Sequence, residues 1–157
     1  MLHWTIESGD DGDIVIAFDG EITRDVDLTS LLGCGSRVAL DLGGVRRINS
    51  HGVLELMGFL GTVGGGRPVE ARRCSVAVIT QLNMIPLLQD LLDVRSLFAP
   101  LECPQCNATT DLLIDMDDLT TRPPEIPRRL CTRCGIPLEL AEPADRYFAF
   151  LAGPAPA

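Results

Sequence analysis

Four of the six cysteines fall in two copies of one spacing, Cys103-Pro104-Gln105-Cys106 and Cys131-Thr132-Arg133-Cys134. Two thiolates three residues apart grip a single cation only if the backbone turns sharply around them. Each pair is followed by a residue that tolerates positive φ, Asn107 after the first and Gly135 after the second. Four sulfurs then form a closed tetrahedral set with no open position, which is the pattern of a structural rather than a catalytic zinc ion. The 24 residues between the pairs are a long spacer, with room for a hairpin built on Leu112-Leu113-Ile114-Asp115-Met116. Redox dithiols or two local disulfides are the other uses of such pairs, and the matching knuckle residues favour zinc. Cys34 and Cys74 have no partner nearby in sequence and read as buried thiols.

Other chemistry is scarce. The chain holds only two histidines, His3 on an alternating segment and His51 at a helix start, and no nucleophile–base–orienter set is visible. Gly64-Gly65-Gly66 lacks a following Lys-Ser/Thr, so it is not a phosphate-binding loop. An enzyme is not expected.

The elements that must position these residues follow from periodicity. Leu2, Trp4 and Ile6 alternate with polar neighbours, Asp11-Gly12 marks a turn, and Ile14, Ile16 and Phe18 resume the alternation. This is a hairpin pattern. Asp25 to Leu32 reads as a short helix ending near Gly33 and Gly35. Val38 to Leu42 is a compact apolar run that predicts a buried strand. His51 to Val63 carries Val53, Leu54, Leu56, Met57 and Leu60 at helical spacing. Pro68 to Arg73 leads to a further predicted buried strand over Ser75 to Ile79. Gln81 to Leu92 reads as a helix regular from about Pro86, and Arg95 to Leu101 as a last strand. The order β-β-α-β-α-β-α-β implies an α/β fold with a mostly parallel sheet and an antiparallel hairpin at its start. A small β-rich zinc ribbon is expected to follow. The division is residues 1–101 for the α/β domain, 102–152 for the ribbon and 153–157 for a disordered tail.

The segment from Val38 to Leu56 contains Gly43-Gly44-Val45, then Ile48-Asn49-Ser50-His51-Gly52 running into a helix. It resembles the central signature of the STAS family, the domain of anti-sigma factor antagonists and sulfate-transporter tails. In that family a buried strand and a short Gly-Val turn lead into an Ile-Asp-Ser-Ser-Gly-type motif and a helix. The resemblance spans about residues 1–101. It places Ser50 at the phosphorylatable serine, Asn49 where the family has Asp, Gly52 on the motif glycine, and His51 at a second Ser or Thr. It implies a signalling module that binds a protein partner of the kinase-type regulator class through Asn49, Ser50, His51, Gly52 and Glu55. From the residues themselves, Ser50 reads first as the helix N-cap and second as a phosphoacceptor. His51 reads as an exposed first-turn residue.

Charge narrows the partners. The net charge is −9, and every one of the 13 basic residues is arginine. Both halves are acidic, with 8 arginines against 13 acids up to residue 100 and 5 against 9 beyond. Long-range attraction to nucleic acid or an anionic membrane is therefore not expected. A nucleic-acid or transcription-complex role for the ribbon stands as the alternative function. No run of 18 apolar residues exists and the first residues lack a basic and apolar leader pattern, so a cytoplasmic protein is expected.

Overall fold

The computed structural model describes residues 1–8, 13–24, 26–28, 31, 37–121 and 124–152. The turn at Asp11-Gly12, most of the helix expected over Asp25 to Leu32, Cys34 and the tail 153–157 lie outside them. The chain forms a mixed α/β fold with a five-stranded sheet, a separate three-stranded sheet and a cluster of cysteines.

The first sheet has the order β1-β2-β3-β4-β5. Strands β1 (His3–Ser8) and β2 (Ile14–Ile22) pair antiparallel, with Ser8 opposite Ile14, so the expected hairpin is present. Strands β3 (Val38–Ile48), β4 (Val69–Arg72) and β5 (Leu92–Val94) then add in parallel. Helix α1 (Ser50–Gly64) is the crossover from β3 to β4. Two helices, α2 (Val76–Met84) and α3 (Pro86–Leu91), cross from β4 to β5.

One aliphatic core joins these layers. Leu40 and Leu56, expected there from their spacing, are both fully buried, packed with Ile16, Phe18, Leu60, Ile79 and Leu88. Charged residues of β3, β4 and β5 form surface ion pairs instead. Arg73 meets Asp41 at 3.1 Å, and Glu70 lies between Arg72 and Arg95.

Three expectations are corrected. Ser75 to Ile79 is not a strand. Ser75 caps α2 by accepting the Val78 N–H, and Val78, Ile79 and Leu82 bury at helical spacing. The β-branched run matched a buried strand in composition, yet the strand in this place is the shorter Val69–Arg72. Nor does a turn follow Leu42: β3 runs on through Gly43-Gly44-Val45 to Ile48, with register irregularities against β2 at Ala17–Asp19 and Gly20–Glu21. Gly44 permits this, since a Cβ there would lie 2.5 Å from the Phe18 carbonyl oxygen.

The third correction concerns the last predicted strand. β6 (Ser96–Glu102) is the centre of the second sheet, in the order β7-β6-β8, with β7 (Thr109–Asp115) and β8 (Glu139–Leu140). The apolar run at Leu112 therefore pairs across the first cysteine pair with β6, not within the spacer. The second sheet is tied to α2 and β4. Main-chain hydrogen bonds join Cys74 to Ser96 and Phe98, and the Tyr147 hydroxyl, just past Asp145 in the short helix α4 (Ala144–Tyr147), donates to the Phe98 carbonyl. Asn83 of α2 clamps the same segment, donating to the Tyr147 carbonyl and accepting from the Phe150 N–H.

Candidate functional site

The two cysteine pairs build identical knuckles. Cys103 N–H donates to the Ala108 carbonyl at 2.8 Å and Asn107 N–H returns to the Cys103 carbonyl at 3.0 Å. Cys131 N–H donates to the Ile136 carbonyl at 2.8 Å and Gly135 N–H returns to the Cys131 carbonyl at 2.8 Å. The offsets match residue for residue. Asn107 and Gly135, at φ 61° and 72°, occupy the left-handed conformation that closes each turn. Cys106 N–H also points at the Cys103 sulfur, 3.4 Å away.

The knuckles bring together the sulfurs of Cys103, Cys106, Cys131 and Cys134, all within 4.8 Å of one another. The Cys106 and Cys131 sulfurs are 3.6 Å apart, and all four residues are free thiols. A disulfide would need about 2 Å. Four sulfurs bound tetrahedrally at the usual metal–sulfur length sit about 3.8 Å apart, so the donor set is of the size to hold one metal ion.

The electrostatics of these sulfurs point the same way. The backbone N–H groups of Cys134 and Arg133 favour the Cys131 thiolate and lower its pKa to about 7. Cys134 is pushed up to about 12, first by the neighbouring Cys106 sulfur, then by burial and by Cys103. Crowded sulfurs do not all ionise unaided, and a cation among them removes the conflict. Cys74 differs: it is fully buried, and burial followed by the Asp41 charge raises it to about 12. It is an inert core thiol, as its isolation in sequence suggested.

The second candidate region is the start of α1. The helix N-cap is Asn49, not Ser50. The Asn49 side chain accepts the Gly52 N–H at 2.8 Å, and Asn49 has extended backbone angles. Ser50 is the first helical residue, exposed, and its hydroxyl makes no hydrogen bond among the described residues. The longer Asn side chain reaches the third amide from one position earlier, which sequence spacing alone does not separate from a serine cap. His51 and Glu55 are exposed on the first turns. Gly52 does not share that surface. It is buried against the end of β2, and a Cβ there would lie 1.9 Å from the Ile22 carbonyl oxygen. The glycine lets α1 start in contact with the sheet.

Sequence reading missed Leu54, which it grouped with the helix's apolar positions. Leu54 is 66% exposed, one turn from Ser50 and beside Glu55. The available signal was that α1 carries more apolar residues than one buried stripe needs. Among the described residues, no helix is long and apolar enough to cross a membrane. No protein-family model matches the chain, and no curated protein matches it in sequence.

Proposed function

We propose that this chain is a non-enzymatic, cytoplasmic regulatory module of STAS-like type, which binds a protein partner and carries one structural zinc ion. The observation behind the reading is the closed donor set. Four thiols converge from two matching knuckles and leave no position for a substrate or water, so the metal holds structure and performs no chemistry. Zinc is the ion favoured by an all-thiolate tetrahedron.

The partner surface is the start of α1, where Asn49, Ser50, His51, Leu54 and Glu55 lie together on the first turns. Leu54 supplies apolar area and the others surround it with polar groups, the usual make-up of a contact centre and its rim. The free Ser50 hydroxyl is the candidate phosphoacceptor, at the positive end of the α1 dipole. A kinase-type regulator is the class of partner that the resemblance implies.

Capture from native lysate with the wild-type chain and with Leu54→Asp, followed by mass spectrometry, tests this reading. A partner retained by the first and lost by the second, with phosphate on Ser50 in a fraction of the molecules, supports it. A partner unaffected by Leu54→Asp would place the contact elsewhere.

A further inference from the structure

The second sheet ends in an open edge. Strand β7 pairs with β6 on one side, and no described strand lies on the other. The register fixes which groups face that edge. Cys103 N–H bonds Ala108 and Met116 N–H bonds Arg95, so along this antiparallel ladder the pairs Leu101–Thr110 and Ala99–Leu112 are also bonded ones. The alternate pairs Glu102–Thr109 and Pro100–Asp111 turn their main-chain groups away from each other. On the β6 side this is seen directly, for the Pro100 carbonyl accepts from Ala141 at 2.8 Å, beyond the far edge. On the β7 side, Thr109 and Asp111 direct N–H and C=O outward.

Residues 107–112 also line a groove of about 640 Å³, large enough for a short peptide segment. Its other walls are residues 129–133, Leu101 of β6 and Leu138. Leu112, Leu130 and Leu138 give it an apolar part. Arg129 and Arg133 lie along it against one carboxylate, Asp111. The ion pairs of the described residues use Arg46, Arg72, Arg73 and Arg95; neither Arg129 nor Arg133 has a carboxylate partner.

We propose that the free edge of β7 accepts an acidic, extended segment of a protein partner as an added strand, its carboxylates meeting Arg129 and Arg133. An unpaired edge is a template for strand addition, in which main-chain bonds give affinity and side-chain pockets give selectivity. Two guanidiniums without a carboxylate partner, one of them donating only to the Arg128 carbonyl, select an acidic ligand locally in a chain of net charge −9. Nucleic acid fits less well, because no aromatic side chain lines the groove for base stacking and the overall charge repels a polyanion. This surface is separate from the start of α1 and does not rest on the partner proposed there.

The test is selection of random displayed octapeptides on the full chain, followed by affinity measurements with the enriched sequences. The expected sequences alternate apolar and acidic residues. Their affinity should fall at least tenfold in the Arg129→Glu/Arg133→Glu double variant. Asp111→Pro and Asp111→Ala separate edge from charge: both remove the carboxylate, but only proline removes the outward N–H, and it leaves the β6 ladder intact. The expected result is a tenfold or greater loss in Asp111→Pro and none in Asp111→Ala. In the wild-type chain, the amide signals of Thr109 and Asp111 should shift on peptide binding. No enrichment, enrichment without acidic residues, equal affinity in the two Asp111 variants, or unmoved Thr109 and Asp111 amides would each overturn the proposal. So would tighter, Arg129-dependent binding of a fifteen-nucleotide thymidine strand.

Discussion

Cys74 and Cys131 are the same residue held by two opposite means, and they mark how the two regions of this molecule differ. Cys74 sits among aliphatic side chains that keep it protonated, raised to about 12 by burial and then by Asp41. Cys131 sits in a turn whose amides draw it toward the thiolate, lowered to about 7. The five-stranded sheet rests on dispersed contacts among leucine, isoleucine and valine, where no single group is indispensable. The knuckle region concentrates its organisation in four sulfurs, and around them residues 124–138 are mostly exposed. A core built from many small contributions degrades gradually. The proposed centre, four ligands around one ion, fails when any one of them is lost.

That contrast is broken most forcefully by removing the metal. Structural zinc contributes on the order of 10 kcal/mol to the folding of small metal-dependent units. Chelation, or Cys131→Ser, should therefore abolish amide-exchange protection at Cys103, Asn107, Cys131 and Gly135 while leaving β2 and β3 protected. Alkylation in the presence of chelator should label the four ligand cysteines and spare Cys74. Hydrogen exchange and peptide mapping read both outcomes. Simultaneous loss of protection in β3 would mean that the two regions fold as one unit.

The next effect belongs to the aliphatic core. Leu40→Ala and Leu56→Ala should each cost roughly 2–5 kcal/mol in denaturant unfolding, with metal content unchanged. Gly52→Ala comes third, at roughly 1–3 kcal/mol, because its methyl meets the Ile22 carbonyl and α1 must shift to admit it. Thermal melts that match wild type would show that α1 and the end of β2 have room for the added methyl. The smallest effect sharpens the cap assignment. Asn49→Ala should cost about 1 kcal/mol, whereas Ser50→Ala should be close to neutral. The reverse order would restore Ser50 as the cap.

The four-cysteine cluster was the most legible part of the sequence, because its geometry is local: one spacing and one residue at positive φ specify each knuckle without reference to the rest of the fold. The hairpin and the core positions of β3 and α1 were legible for the same reason, through period-2 and period-3.6 patterns. What failed depended on tertiary context. Val76 to Thr80 carries strand-like composition but is helical, because Ser75 caps it and its neighbours bury one face. Arg95 to Leu101 looked like a closing strand of the first sheet, yet the strand found there pairs with β7, from inside the cysteine-bracketed spacer, and β8, from beyond the second cysteine pair. Leu54 could not be told from Leu56 by type, only by which side of α1 meets the sheet. The groove beside β7 exists only once residues 129–133 are folded back against 107–112, from the other end of the spacer.

X-ray absorption at the zinc edge on the purified chain tests the metal centre most directly. The expected result is one zinc per chain with a shell of four sulfurs at about 2.3 Å. Absence of zinc, or a shell containing nitrogen or oxygen in place of any sulfur, would contradict it.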